Sequence, residues 1–431
     1  MGKSKIAGGG LSKIKNGMES NEFTLAAIPG KSFCSIRNLP VEFSAVQENH
    51  IGLCTLTPTK YVSAAHYYGN AVGNIYIAGR RLDPDGVVRS GTALSPGTTS
   101  FGASRPSAVL KVSDNRFVIV RSDDRCVTAE LYELSDDLAI TKINGTVLHQ
   151  NEYGYHLSAC RVGAGNKICA AYTVSGSPDR MYAVIFEVTG DSIEAGTEHQ
   201  LASFKDTYNS PPVISEIASS EEKVLLAWHR SYTKCVVLSL SGMSVSEGTM
   251  LQVTGMYDSS LTDVDSLSMD NEFNIVSKSA NSSKQYLAEL TFAGDVITLR
   301  RLNRMGDSHS NNLYPVPIGK LTQDTFITLY CSKDTGNATY GDIYRITEAG
   351  LIQVGSRMVI SDTFNNGNPR KIWKISDRVF VCDIRRMFRF IAATDQGLKQ
   401  FPVTPYDGVN VYGVTKKNMG SYDILPVVSP I

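Results

Sequence analysis

The strongest constraint on this chain is a short strand pattern with a polar start that recurs along almost its whole length. It reads Lys60-Tyr-Val-Ser-Ala, Arg116-Phe-Val-Ile-Val, Lys167-Ile-Cys-Ala-Ala, Lys223-Val-Leu-Leu-Ala, Glu272-Phe-Asn-Ile-Val, Thr325-Phe-Ile-Thr-Leu and Arg378-Val-Phe-Val-Cys. Successive starts lie 49 to 56 residues apart. A period of that size means a repeat architecture, in which one supersecondary unit cannot bury its apolar face alone and must stack on its neighbours.

The residues around each start define the unit. Tight turns precede it, as in Ser113-Asp114-Asn115, Gly163-Ala-Gly-Asn166 and Ser376-Asp377, where Asn, Asp and Gly supply turn dihedrals. An alternating run follows it, as in Thr128-Ala-Glu-Leu-Tyr-Glu-Leu134, Tyr182-Ala-Val-Ile-Phe-Glu-Val188 and Tyr286-Leu-Ala-Glu-Leu-Thr-Phe292. A fourth strand carries Gly-Thr or Gly-Ser, at Gly91-Thr92, Gly145-Thr146, Gly196-Thr197, Gly248-Thr249 and Gly355-Ser356. Four antiparallel strands repeated in tandem predict an all-β chain, a seven-bladed β-propeller of four-stranded blades over 48–403. A β-helix, the structural rival, has shorter and parallel rungs, and no stretch shows a capped helical stripe. Residues 1–47 read as a Gly- and Lys-bearing arm followed by short strands, and 404–431 as a second flanking β segment. Each flank is too short for a core of its own, so the pair is expected to anchor the protein in an assembly.

Composition narrows the function. Lys+Arg and Asp+Glu both total 42, so no global basic field is present to hold nucleic acid. No run of about eighteen apolar residues predicts a membrane span, and Met1–Ser20 lacks the apolar core of a signal peptide, which predicts synthesis in a cytoplasm. The eight cysteines form no CxxC pair or zinc spacing, and Cys169 and Cys382 sit inside apolar strand patterns where a thiol acts as a small core residue. No cofactor or metal is expected: Asp83-Pro-Asp85-Gly86 and Asp263-Val-Asp265 lack the other carboxylates of a calcium loop. The chain also lacks a Gly-x-Ser-x-Gly elbow, a His-Glu-x-x-His helix and a phosphate loop, and its adjacent acid pairs fall in turns. The expectation is therefore a protein that is not an enzyme.

In a four-stranded blade the second-to-third-strand loops and the blade connections emerge on one face. That face collects His66-Tyr67-Tyr68, Tyr153-Gly-Tyr155-His156, Trp228-His229-Arg230-Ser-Tyr232 and Tyr340. Rigid aromatic rings and guanidinium groups are what recognition surfaces favour. These residues are the expected binding face.

The opening Gly10-Leu-Ser-Lys-Ile-Lys-Asn-Gly17 with Phe23-Thr-Leu and Ile28-Pro-Gly-Lys31-Ser-Phe resembles the β-module that begins many bacteriophage tail-associated proteins. The ending Tyr412-Gly-Val and Gly420-Ser-Tyr-Asp-Ile-Leu is similar to the close of such proteins. The resemblance spans the chain in style and its motifs are short. It implies a virion component, structural or host-recognising. Its partners would be other virion proteins, a copy of itself as homo-oligomer or as ring or fibre neighbour, and a host surface glycan or protein. Two other readings stay open: a carbohydrate-binding or carbohydrate-cleaving propeller, and a cytoplasmic protein-interaction scaffold.

Overall fold

The computed structural model describes residues 22–24, 33–36, 42–43, 48–69, 72–82, 88–96, 98–100, 108–123, 126–150, 152, 154–174, 179–204, 211–258, 264–269, 273–280, 284–305, 316–332, 338–361, 369–375, 377–384, 387–394, 397–399, 401–405, 413–415 and 428–429. All regular structure among them is β. Three short strands come first, β1 (Glu22–Thr24), β2 (Phe33–Ile36) and β3 (Glu42–Phe43). The first sheet holds β4 (Glu48–Thr55), β5 (Lys60–Gly69), β6 (Val72–Leu82), β7 (Val88–Ser90) and β8 (Thr98–Ser100). The second holds β9 (Ala108–Lys111), β10 (Arg116–Asp123), β11 (Cys126–Leu134) and β12 (Ile140–Gln150). The third holds β13 (Gly154–Val162), β14 (Lys167–Val174), β15 (Arg180–Thr189), β16 (Ser192–Ala195) and β17 (His199–Gln200).

In the fourth sheet the middle two strands merge: β18 (Val213–Glu216), β19 (Lys223–Ser241), β20 (Ser244–Glu247) and β21 (Leu251–Asp258). The fifth is β22 (Val264–Ser268), β23 (Phe273–Ala280), β24 (Lys284–Ala293) and β25 (Val296–Met305). The sixth is β26 (Ile318–Lys320), β27 (Thr325–Ser332), β28 (Ala338–Thr347) and β29 (Gly350–Ser361). The last unit is β30 (Pro369–Lys374), β31 (Val379–Ile384), β32 (Met387–Thr394) and β33 (Gly397–Lys399), joined to the sixth in one continuous sheet by the parallel pairing of Ser356 in β29 with Gly397 in β33, and followed by β34 (Phe401–Pro405), β35 (Gly413–Thr415) and β36 (Val428–Ser429).

Period-two alternation gives each sheet two apolar faces, and each face meets the next sheet. One core joins Val62 and Ile75 of the first sheet to Phe117 and Tyr132 of the second. Another joins Val118 and Leu131 to Tyr172 and Phe186 of the third. The pattern continues around, and a further core returns from Val379 and Val381 of the last sheet to Leu53 and Tyr61 of the first. The innermost strands touch in the same order, β4 to β9 onward to β30 and back to β4. A circle of four-stranded antiparallel sheets packed face to face is a β-propeller.

The basic residue that starts the second strand of each of the first four sheets now has a physical role. Arg116 bonds Asp191 at 2.9 Å and Lys223 bonds Asp295 at 2.8 Å, while Lys60 pairs with Asp136 and Lys167 reaches the Gly242 carbonyl at 3.5 Å. Every one of these partners lies in the third-to-fourth-strand turn of the following sheet. Such exposed pairs are screened by solvent and add little to stability.

The Gly of the Gly-Thr motif serves the same junction. A Cβ on Gly196 would lie 1.9 Å from the Met243 carbonyl oxygen, and one on Gly91 would lie 2.1 Å from that of Leu138. Both carbonyls belong to turns of the next sheet, which therefore rests directly on the glycine. Gly196→Ala is expected to lower stability by about 1–3 kcal/mol, as overpacking does. Gly165→Ala, where a Cβ meets nothing within 4 Å, should stay within about 0.5 kcal/mol of wild type. Urea midpoints of the two variants check this; equal midpoints would remove the close approach.

The two flanks pair with each other and with the last blade. β1, β34, β2, β35 and β36 form one sheet in that order, so the two ends of the chain pair with each other. β34 begins at Phe401, so the expected boundary at 403 falls inside a flanking strand. β3 pairs with β32 at Glu42↔Phe388 and Phe43↔Met387, alongside the outer strand β33. The amino-terminal flank therefore supplies part of the last blade, because β33 is too short to cover all of β32.

Candidate functional site

The face where second-to-third-strand loops emerge carries a compact polar array at the boundary of the second and third sheets. It arises because both fourth strands run on past their Gly-Thr motif: Gly145-Thr146 leads to His149 in β12, and Gly196-Thr197 leads to Glu198 just before β17. His149 is 8% exposed. Its Nδ1 lies 2.7 Å from Glu198 Oε1 and its Nε2 lies 3.3 Å from Glu152 Oε2, so both ring nitrogens face carboxylates. A neutral ring can donate to only one of the two, whereas a doubly protonated ring satisfies both.

Two tyrosines enclose the imidazole, with centroids 5.6 Å away for Tyr172 and 5.0 Å for Tyr182. Tyr172 donates its hydroxyl to Glu198, and burial together with that carboxylate pushes the phenol well above its ordinary value. Arg180 donates to Glu152 and also to the Tyr182 hydroxyl at 3.3 Å, and Tyr182 donates in turn to Gln200 Oε1 at 3.3 Å. The Arg180 hydrogen bond holds the Glu152 carboxyl below the usual carboxylate range. Arg180, Glu152 and Glu198 remain about one-third exposed, so the array is open to a ligand. Paired acceptors, a guanidinium fork and ring faces suit a polyhydroxylated ligand, and an imidazole held between carboxylates can also relay a proton. Among the described residues no group of three His, Cys, Asp or Glu is arranged to hold a metal ion.

The residues expected on the binding face are distributed over several sheets. His66, Tyr67 and Tyr68 occupy the loop end of β5, their side chains outside the described residues, as is Tyr153 altogether. Tyr155 lies on β13 with its side chain likewise outside, and His156 beside it is half-buried. Burial lowers the His156 imidazole from its ordinary value, opposed by nearby Asp179. Trp228 and His229 are a correction: both are 0% exposed and offer no surface. Trp228 packs on Phe204 at 6.0 Å between the third and fourth sheets. His229 Nε2 accepts from the buried Lys278 ammonium at 2.6 Å. They are buried because strand ends that look loop-like in sequence are roofed by the neighbouring blade. Arg230 and Tyr232 are half-buried around Ser231, whose φ of 56° turns the chain. Tyr340 is half-buried in the sixth sheet, stacked on Tyr330 at 5.8 Å, with the Arg357 guanidinium 5.8 Å from its ring.

Sequence reasoning passed over His149, Glu152, Tyr172, Arg180, Tyr182 and Glu198. The available signal was the position of His149 and Glu198 shortly after consecutive Gly-Thr motifs, which places them on one face of adjacent blades.

No protein-family model and no curated protein matches the sequence. Among solved structures, the chain is similar to a candidate 6-phosphogluconolactonase from Bacteroides uniformis ATCC 8492. The identity is 12% and the TM-score 0.53, over 80% of this chain and 98% of that one. It is also similar to Sqt1 of Chaetomium thermophilum, solved bound to the N-terminus of ribosomal protein L10, at 10% identity and TM-score 0.51 over 83% and 100% of the two chains. At such identities the likeness bears on the fold alone, a β-propeller.

Proposed function

We propose that the chain is a non-enzymatic recognition propeller of seven blades that binds a glycan at the His149 array and is carried on a virion tail. The observation that bears most weight is the Glu152, His149 and Glu198 series with Tyr172, Tyr182 and Arg180 around it. Vicinal sugar hydroxyls donate to the part-exposed carboxylates, the Arg180 guanidinium donates to ring and hydroxyl oxygens, and the half-buried Tyr182 ring offers a face to the apolar side of the sugar, while the fully buried Tyr172 holds Glu198 in place. The count of seven rests on the repeat spacing together with the circle of innermost strands. Carriage on a virion rests on the resemblance of the two chain ends. The flanking sheet supports it, since its outer strands β1 and β36 are edges on which a neighbouring subunit can add a strand.

A glycan array with the full chain tests the binding. Glu198→Gln removes a charged acceptor and is expected to weaken the bound glycan about 10- to 100-fold, the range of about 1.5–3 kcal/mol for a charge-assisted hydrogen bond, with the thermal midpoint little changed. A silent array, or equal affinity in the variant, would sink the site. Release of reducing sugar by wild type, abolished by Glu198→Gln, would convert the reading into a glycoside-cleaving enzyme. Mass spectrometry of purified particles tests carriage, and absence of the chain from them would remove the virion part.

A further inference from the structure

We propose that Cys160 and Cys169 form a dithiol–disulfide site, a redox modification site that locks the first hairpin of the third blade. The two residues are direct partners in the antiparallel register of β13 and β14. Both side chains meet the same core between the third and fourth sheets, Cys169 fully buried and Cys160 half-buried, so they share one face of the hairpin. Both are free thiols. Among the described residues no other cysteine has a cysteine as register partner: Cys54 faces Val62, Cys126 faces Gln150, Cys235 faces Leu251 and Cys382 faces Arg389.

Directly opposed residues keep their Cβ atoms about 4.5–5.5 Å apart, and a disulfide needs about 3.5–4.5 Å, so the strands must close by about an ångström. The bond therefore forms without unfolding the blade and stays open to reduction. A small-molecule disulfide such as oxidised glutathione serves as oxidant. The Cys160 thiolate attacks one of its sulfurs and expels one glutathione thiolate. The Cys169 thiolate then attacks the Cys160 sulfur of the mixed disulfide and expels the second. The protein loses two protons and two electrons, and one oxidised glutathione becomes two reduced ones. Burial pushes Cys169 up to about 12 and Cys160 well above its ordinary range. Thiolate is scarce in both, so closure takes minutes to hours rather than seconds.

The test is peptide mapping, without reduction, of the full native chain after incubation with oxidised glutathione. The expected result is a linkage between the peptides holding Cys160 and Cys169, a mass lower by two hydrogens, and reversal by dithiothreitol. Cys160→Ser and Cys169→Ser should each abolish that linkage. A native chain whose Cys160 and Cys169 remain thiols throughout, or whose first linkage joins a different pair, would overturn the proposal. The wild-type measurement decides this even if a serine variant fails to fold.

Discussion

Glu130→Ala is expected to destabilise the propeller by about 3–5 kcal/mol, the cost of removing one partner of a buried ion pair. Glu130 sits in the middle of β11, 4% exposed, and accepts both guanidinium bonds of the equally buried Arg121 at 3.0 Å. It also accepts from Lys142 at 2.6 Å and from Tyr132 at 2.7 Å. Removing the carboxylate takes away the bidentate acceptor of a buried guanidinium and the shared acceptor of Lys142 and Tyr132. Glu130→Leu combined with Arg121→Met should recover most of the loss, because an apolar pair of similar volume replaces an ion pair at little net cost. If the double variant is as unstable as the single one, the deficit comes from packing and not from the broken ion pair.

The same carboxylate predicts a pH dependence. Burial alone would raise it, but hydrogen bonds from Arg121, Lys142 and Tyr132 and the Arg121 charge outweigh burial and hold it down to about 2 from 4.5. A folded-state value below the unfolded one means a contribution that is complete above the unfolded value and is lost as the pH falls toward about 2. Urea denaturation between pH 5 and about 2 should therefore show a smaller acid-induced loss in the double variant than in wild type. Parallel pH profiles would remove Glu130 as a source of acid sensitivity.

Trp228→Ala should cost about 3–5 kcal/mol, as large-to-small changes at aromatic core positions do. The ring packs on Phe204 in the core that Met181 and Leu226 share between the third and fourth sheets, so its loss leaves a cavity there. Trp228→Phe retains most of the volume and should fold. Its glycan affinity should equal that of wild type, since Trp228 reaches no surface. A stable Trp228→Phe protein that has lost binding would return the tryptophan to the recognition site and displace the His149 array.

Much of this architecture was legible along the chain because its causes are local. Alternation of apolar residues in Thr128–Leu134 and Tyr182–Val188 is enough to make two-faced strands, and Asp, Asn and Gly between them are enough to make hairpins. The repeat of that unit then requires stacking, since no single sheet buries its own faces. The polar starts and the Gly-Thr motifs were visible too, but their purpose was not. Arg116 acquires meaning only when the Asp191 turn of the next sheet arrives beside it, and Gly196 only when the Met243 carbonyl rests on it.

The candidate site divides in the same way. Residue types and turn positions singled out Trp228 as a surface aromatic, yet its environment is set by Phe204 and a blade from elsewhere in the chain, which bury it. They overlooked His149, whose partners Glu152, Tyr172 and Glu198 are up to 49 residues distant. Strand identity and turns follow from sequence because backbone dihedrals and the two-residue period are short-range properties. Exposure and juxtaposition at the ends of strands were decided only by the tertiary structure, because each depends on how one blade roofs the next.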